Sequence, residues 1–212
     1  MKPNDSLREI EKRAYRSTFQ DGLYDIFFGG AFLILASIPL LSYAGIPTLF
    51  GYMAGVILVL IVVLGKRHIT IPRLGMVEFG SGRKSKRLWL LLACAAFFFL
   101  ASPLIIMMPG NGLGGEMSQR VGLPIILALG IGPLLVATAY FLDYPRMYIY
   151  AAVFFVGLPH SAMMYDFIGW PLNTVLSFGF PGLIILGYGL VLLSRFMAKY
   201  PIPSPEVNHA GR

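Results

Sequence analysis

Ionisable and amide side chains within or beside long apolar runs are the first candidates for chemistry in this sequence. Such groups are costly inside a bilayer and often mark ion or substrate pathways, so each is a candidate for function. Asp25 and Asp143 also have simpler explanations, because a carboxylate suits a helix start or caps a free N–H group. The candidates for a pathway are Asp25, Asp143, His160, Tyr165, Asp166 and Asn173.

A second chemistry is suggested by the methionines around His160. Imidazole and thioether groups suit Cu(I), because soft ligands select soft metals. Met is also an ordinary filler of apolar space. A polar pocket for protons or a small substrate, with His160 and Asp166 facing Asn173 and Thr174, is therefore favoured over copper. The Cu(I) candidates are His160, Met163, Met164, Met107 and Met108.

Enzymatic motifs are absent from the sequence. It contains no His-Glu-x-x-His, no Gly-x-Ser-x-Gly, no phosphate loop and no Gly-Asp pair within an apolar run. The single cysteine, Cys94, excludes a disulfide within the chain and a cysteine-based metal cluster. We therefore predict a protein that is not an enzyme and binds no cofactor.

Six apolar runs must position these candidates. Each run is long enough to cross a hydrocarbon core of about 30 Å at about 1.5 Å per residue. The composition agrees, since 57% of the residues are hydrophobic and only 13% are charged. The sequence predicts an all-α, polytopic six-helix membrane bundle with spans at residues 24–43, 46–64, 88–108, 121–142, 147–165 and 172–196.

The distribution of basic residues predicts the orientation of this bundle. All but one of the 17 Lys and Arg residues fall on one side of the six spans, and the exception is Arg120. Lys and Arg in short connections are retained in the cytoplasm, so both termini are predicted to be cytoplasmic. The net charge of +7 reflects this topology and does not indicate a nucleic-acid partner. We expect a multi-pass protein of the inner (plasma) membrane of a prokaryote.

The segments outside the spans divide the chain further. Residues 1–23 form an N-terminal segment that is either an amphipathic helix on the membrane surface or a solvated leader. Residues 24–196 are the transmembrane domain, and 197–212 are a cytoplasmic tail. Within the basic loop at 65–87, the alternation at 69–71 and 76–79 around Pro72 predicts a small β-hairpin.

Basic residues that precede the third span could recruit lipid. Such a cluster attracts anionic headgroups at about 1 kcal/mol per residue, although the same residues also set topology. Besides lipid, a second copy of the chain or another membrane protein is a candidate partner. The lipid-binding candidates are Arg83, Lys84, Lys86 and Arg87.

Proline and glycine suggest internal organisation. The even spans begin with Gly-x-Pro and the odd spans carry Pro39, Pro103 and Pro159 in corresponding positions, which suggests three similar helical hairpins. The alternative is that proline is simply frequent in membrane helices. The stretch Gly179–Gly182 is a candidate for a helix break or a packed kink.

Two short stretches resemble segments of uncharacterised small multi-span membrane proteins of bacteria and archaea. They are Phe19–Phe27, which reads FQDGLYDIF, and Ile71–Phe79, which reads IPRLGMVEF. The resemblance covers about the first 80 residues. It implies the multi-span topology and no substrate or cofactor.

Two functions of different classes follow. One is a small permease or channel-type subunit for an ion or small solute, with a polar path between an Asp25/Asp143 mouth and a His160/Asp166 mouth. The other is a non-transporting accessory protein that holds a partner or anionic lipid through its basic loop. A water-filled path would distinguish the permease from a closely packed scaffold.

Overall fold

The computed structural model describes residues 19–74, 123–141 and 143–201 of the chain. All regular secondary structure in these ranges is helical. The elements in chain order are α1 (Leu23–Tyr43), α2 (Leu49–Gly65), π1 (Lys66–Thr70), α3 (Ile71–Leu74), α4 (Leu123–Phe141), α5 (Met147–Ile168), α6 (Leu172–Thr174), π2 (Val175–Gly179) and α7 (Phe180–Lys199).

The described ranges contain four helical segments that are long and apolar enough to cross a membrane. They are Leu23–Tyr43, Leu49–Arg73, Met147–Ile168 and Leu172–Lys199, which correspond to the predicted first, second, fifth and sixth spans. The predicted fourth span corresponds to α4, whose apolar stretch Leu127–Phe141 is shorter. The predicted third span, 88–108, lies outside the described residues. The all-helical fold is confirmed for the described residues, and four of their helical segments could span a membrane, while the six-span count and the side of the termini stay predictions.

The surface of α2 is apolar and faces away from the bundle. Within this helix only Gly51 and Val62 are buried, whereas side chains such as Val56 and Leu60 are exposed. A helix with apolar residues on all sides would be unstable in water but matches a lipid environment. The exposed surface therefore agrees with the membrane assignment.

The first strand of the predicted β-hairpin is a helix. Residues 69–71 continue from α2 through π1 into α3, so the strand prediction there was wrong. Three alternating residues are too few to outweigh the continuation of a long apolar helix. The helical path matters because it turns Thr70 toward the core, where it is buried. The second predicted strand, 76–79, lies outside the described residues.

Helices α1 and α7 pack with their backbones in close contact. A methyl group at Gly182 would lie 3.1 Å from the Gly29 carbonyl oxygen, and one at Gly189 would lie 2.7 Å from the Ile26 nitrogen. Small residues allow such approach, which is a principal source of helix association in membranes. This contact places the start of α1 against the last turns of α7.

The chain remains helical through the predicted break near Gly179. The π-helix π2 ends at Gly179, and α7 follows with Pro181 in its first turn. Because Pro181 has no N–H and crowds the carbonyl four residues earlier, the preceding turn is where a wider helix is expected. Pro39 and Pro159 lie inside α1 and α5 as predicted. Pro103 lies outside the described residues, so the three-hairpin repeat stays a prediction.

Candidate functional site

Two aspartates at the beginning of α1 are completely buried. The side chains of Asp21 and Asp25 have no exposed surface. Asp21 lies in the turn that precedes α1 and Asp25 in the first turn of the helix, so both are at the same end of the bundle. Gly22 between them adopts a left-handed conformation with φ 75°, and the Leu23 N–H donates to Asp21 Oδ1 at 3.2 Å. The chain thus turns into α1 around Asp21.

Asp21 accepts hydrogen bonds from the helix that follows α2. Lys66 Nζ lies 2.6 Å from Asp21 Oδ2, and Thr70 Oγ1 donates to the same oxygen at 2.6 Å. Lys66 and Thr70 are the first and last residues of π1. A short helix placed at the end of α2 therefore supplies both partners, and α1 is tied to π1 by charge and by hydrogen bonding.

Asp25 is held by residues at the beginning of α5. Arg146 Nη1 lies 2.7 Å from Asp25 Oδ2, and the Tyr150 hydroxyl donates a short hydrogen bond to Asp25 Oδ1. The Tyr144 hydroxyl lies 3.3 Å from the Tyr150 hydroxyl and extends this network. Arg146 and Tyr150 are four residues apart, so one helix face presents both groups to the carboxylate.

We call the four ionic residues Asp21, Asp25, Lys66 and Arg146 the charged cluster. Its carboxylates are fully buried, whereas the Lys66 and Arg146 side chains are 22% and 27% exposed. Burying a charge is costly unless it is paired and hydrogen-bonded, and both conditions are met here. Removing one partner of a buried pair typically costs about 3–5 kcal/mol. The charged cluster therefore holds α1, π1 and α5 in one arrangement.

Aromatic rings surround the charged cluster. Phe19 stacks on Tyr144 with ring centroids 5.0 Å apart and lies 5.2 Å from the Tyr24 ring. The ammonium of Lys66 lies 4.8 Å from the Tyr24 ring centroid, and the guanidinium of Arg146 lies 5.7 Å from the Tyr188 centroid. Both cations are therefore positioned for cation–π attraction as well as ion pairing.

Protonation at the turn before α5 follows from this environment. Burial raises the pKa of the Tyr144 phenol well above its usual range, so the hydroxyl keeps its proton as a hydrogen-bonding group. Burial by itself lowers the pKa of Arg146, but the interactions with Asp25, Tyr144 and Tyr188 together outweigh that effect and the net pKa is raised. The guanidinium therefore remains a permanent positive charge beside Asp25.

A second group of polar side chains joins α5 to α6 and π2 in the other half of the bundle. We call it the polar cluster. Asn173 Nδ2 donates to the Ser161 carbonyl at 3.0 Å and to Ser161 Oγ at 3.2 Å. Ser161 Oγ lies 3.2 Å from Thr174 Oγ1. The polar cluster consists of His160, Ser161, Asn173, Thr174 and Ser177.

The tautomer of His160 follows from its partner in the polar cluster. Ser177 Oγ donates its single proton to the Asn173 carbonyl at 2.8 Å. His160 Nδ1, 2.8 Å from the same oxygen, must therefore be the donor. In the neutral imidazole this leaves Nε2 as the atom that can accept a hydrogen bond. His160 as a whole is exposed.

A layer of phenylalanines separates the two clusters. Phe32 and Phe178 stack at 6.0 Å, Phe154 lies 6.3 Å from Phe178, and Phe28 stacks on Tyr150 at 4.6 Å. A methyl group at Gly157 would lie 2.8 Å from the Phe178 ring, so that glycine makes room for it. We call Phe28, Phe32, Phe154 and Phe178 the aromatic layer. The aromatic layer lies along α5 between Tyr150 and Ser161.

An apolar cavity of about 680 Å³ lies between α4 and α5. Its walls include Gly132, Val136, Tyr140, Tyr148 and Phe155. None of the residues of the charged cluster or the polar cluster lines it. The cavity is therefore separate from both groups, and its lining favours apolar contents.

The predicted site residues fall in different places. Asp25 belongs to the charged cluster, and His160 and Asn173 belong to the polar cluster. Asp143 lies in the turn before α5 with φ 50°. Tyr165 is half-buried, and Asp166 is exposed near the end of α5. The structure therefore brings His160 and Asn173 to the same cluster. Asp25 is bound by Tyr150, which lies about three helical turns from Ser161 on α5.

Several of the candidate residues are not brought together in the part of the chain that the structure describes. Met163 is 64% exposed and Met164 is half-buried. Across the ranges 19–74, 123–141 and 143–201, no group of three or more His, Cys, Asp or Glu could hold a metal ion. The remaining candidates lie outside the described residues: Met107, Met108, Arg83, Lys84, Lys86 and Arg87.

Sequence reasoning missed most of the charged cluster. It named Asp25 but not the partners Asp21, Lys66, Thr70, Arg146, Tyr144 and Tyr150. The i, i+4 spacing of Arg146 and Tyr150 was a usable signal that these two residues share a helix face. Which faces meet depends on packing between distant segments, and the sequence alone does not show that.

Comparisons with known proteins add no family to this description. No family model, no curated protein and no solved structure matches the chain.

Proposed function

We propose that this chain is a small permease or channel-type subunit for an ion or small solute, closed at one end by the charged cluster. The observation that carries the proposal is the complete burial of Asp21 and Asp25 beside spanning helices, each paired to one partly exposed cation. Ionisable groups in such positions commonly belong to ion or substrate pathways.

Energetics support a role beyond stability for the charged cluster. Replacing a buried ion pair by well-packed apolar residues is often neutral or stabilising. Two such pairs at one end of a bundle are therefore an expensive way to fasten helices together. Ion pairs can, however, separate when a competing charge arrives, whereas an apolar contact offers no such response. A gate that opens for a charged solute can use this separation of ion pairs.

The arrangement along the bundle supports a closed conformation of such a permease. The charged cluster, the aromatic layer and the polar cluster follow one another along α5 at Tyr150, Phe154, Gly157 and Ser161. Opening would require the ion pairs to separate and the Phe178 ring to leave Gly157. Phe178 belongs to π2, and π-helical turns are common where helices rearrange for function.

The membrane setting completes the proposal. We place the charged cluster at the cytoplasmic side of six spans, with both termini cytoplasmic, in the plasma membrane of a prokaryote. The predicted retention of Lys and Arg on that side supports this placement.

Cysteine accessibility tests the permease. The background variant is Cys94→Ala, which removes the one native thiol. The reporter is Ala36→Cys, because Ala36 is 4% exposed and its Cβ would lie 3.5 Å from a methyl at Gly179, beyond the aromatic layer. A charged methanethiosulfonate applied from the side of the charged cluster should modify it, and Arg146→Gln should speed the reaction.

The matched control is Val56→Cys on the outward face of α2, where the side chain is 63% exposed to the surroundings of the bundle. This thiol should resist the charged reagent in the folded protein, because a thiol that faces hydrocarbon is not ionised, and should react once the protein is unfolded in detergent. If Ala36→Cys stays unreactive in both the parent and the Arg146→Gln background, no aqueous path reaches it and the permease is rejected.

The second candidate is a non-transporting accessory protein that holds a partner or anionic lipid through its basic loop. The close packing of the aromatic layer and of the Gly182 and Gly189 contacts favours this alternative. A second copy of the chain is one such partner. An unreactive Ala36→Cys, together with anionic lipid or a partner retained on purification, would support it over the permease.

A further inference from the structure

The surroundings of the Lys66 ammonium match a binding site for an organic cation. The nitrogen lies 2.6 Å from a carboxylate oxygen of Asp21, 4.8 Å from the centroid of the Tyr24 ring and 5.9 Å from that of Phe19. A carboxylate combined with aromatic faces is how proteins recognise ammonium groups. Lys66 itself provides the ammonium group in this structure.

The carboxylate is held in place by groups other than Lys66. Thr70 Oγ1 donates to Asp21 Oδ2 at 2.6 Å, and the Leu23 N–H donates to Oδ1 at 3.2 Å. Asp21 and Phe19 are both buried, so the acceptor and one ring keep their positions through packing. A site that is positioned before its ligand binds loses less free energy to ordering.

The Lys66 ammonium, in contrast to the Asp21 carboxylate, is not fixed by packing. The Lys66 side chain is 22% exposed, and its ammonium is carried on a flexible stem of four carbons. A soluble ammonium of similar shape could therefore compete with Lys66 for Asp21. The other pair of the charged cluster is less suited to exchange, because Asp25 is bound by the planar Arg146 guanidinium and by Tyr150.

We propose that Asp21, Tyr24 and Phe19 form a binding site for the primary ammonium group of a small organic amine, with Lys66 as the built-in competitor. This inference rests on the proposed permease in one respect: an amine that displaces Lys66 opens one of the two ion pairs and is the solute class that the gate would admit. Binding itself can be measured without transport.

The first experiment measures binding of n-butylammonium, which copies the end of a lysine side chain, to the full chain in nanodiscs by calorimetry. Removing the competitor by Lys66→Met should tighten binding by at least about tenfold, because the ligand no longer has to displace a tethered ammonium. Asp21→Asn should abolish binding in either background, since it removes the charge that the ammonium requires.

Two further ligands and one variant provide controls. Tetramethylammonium has the charge but no N–H and cannot reproduce the 2.6 Å contact, and n-butanol has the shape but no charge. Both should bind at least tenfold more weakly than n-butylammonium. Lys199→Met is the matched variant, because Lys199 lies 5.3 Å from the Tyr200 ring, and removing it should leave the affinity unchanged.

Loss of folding is a separate concern for Lys66→Met, because it leaves Asp21 without its cation. Thermal unfolding resolves it: n-butylammonium should raise the Tm of Lys66→Met through preferential binding to the folded state. The ligand should not raise the Tm of the double variant Lys66→Met, Asp21→Asn. An equal shift in both variants would show binding elsewhere and overturn the proposal.

Other outcomes are equally decisive. Equal affinity of the parent and Lys66→Met, or binding that survives Asp21→Asn, would reject the site. If the amine binds as expected while Ala36→Cys is inaccessible, the amine site stands and the permease fails. If Ala36→Cys reacts and no amine binds, the amine site fails and the permease stands.

Discussion

Replacement of Gly189 by alanine tests whether the backbone contact between α1 and α7 positions the charged cluster. The added methyl group would lie 2.7 Å from the Ile26 nitrogen, 2.9 Å from Asp25 Cβ and 3.0 Å from the Asp25 carbonyl carbon. Ordinary contacts begin near 3.4 Å. Two of the three atoms belong to the backbone of α1, so no side chain can rotate to relieve the overlap.

The magnitude follows from that geometry. The helices must separate by somewhat less than 1 Å at Gly189, and such overpacking typically costs about 1–3 kcal/mol. Gly187→Ala is the matched control, because the same helix has nothing within 4 Å of a methyl group at that position. An alanine there should leave stability unchanged or raise it by up to about 1 kcal/mol, since glycine is a poor helix former.

Denaturant unfolding in micelles, followed by circular dichroism, measures both variants. We expect Gly189→Ala to be less stable than Gly187→Ala by about 1–3 kcal/mol, which is the packing cost alone, because both positions lie inside α7 and gain the same helix propensity. Two variants of equal stability would show that a methyl group fits between α1 and α7 at Gly189. The backbone contact could then not be what positions Asp25.

Three further predictions address the charges. Arg146→Met should destabilise the protein by about 3–5 kcal/mol, whereas the double variant Asp25→Leu, Arg146→Met should recover most of that loss. If the effects of the two single substitutions simply add in the double variant, the pair is not desolvated. Accessibility probes at both termini and within 66–87 should report cytoplasm and a probe within 112–115 the outside; protease cleavage of the basic loop from the external face would contradict this topology. Neutralising Arg83 and Lys84 should reduce co-purified anionic lipid without changing membrane insertion, and unchanged lipid would leave these residues a topological role only.

The sequence by itself determined the class of the protein. Long apolar runs with few charges can satisfy their backbone groups in a bilayer only as helices, so the spans at α1, α2, α5 and α7 could be read directly. Because Pro39 and Pro159 lie within long apolar runs, the sequence also predicted that both prolines are inside helices. The strand predicted at 69–71 failed because a three-residue alternation carries little information beside a continuing helix.

The tertiary structure decided which ionisable groups matter together. Asp25 stood out by its position near a span, but its partner Arg146 lies 121 residues away in the chain. Asp21 and Lys66 are 45 residues apart and meet only because π1 continues α2 in helical form. Periodicity shows which side chains share a face, whereas the pairing of faces depends on close packing such as that at Gly189. That packing is a property of several segments at once, and no single stretch of sequence contains it.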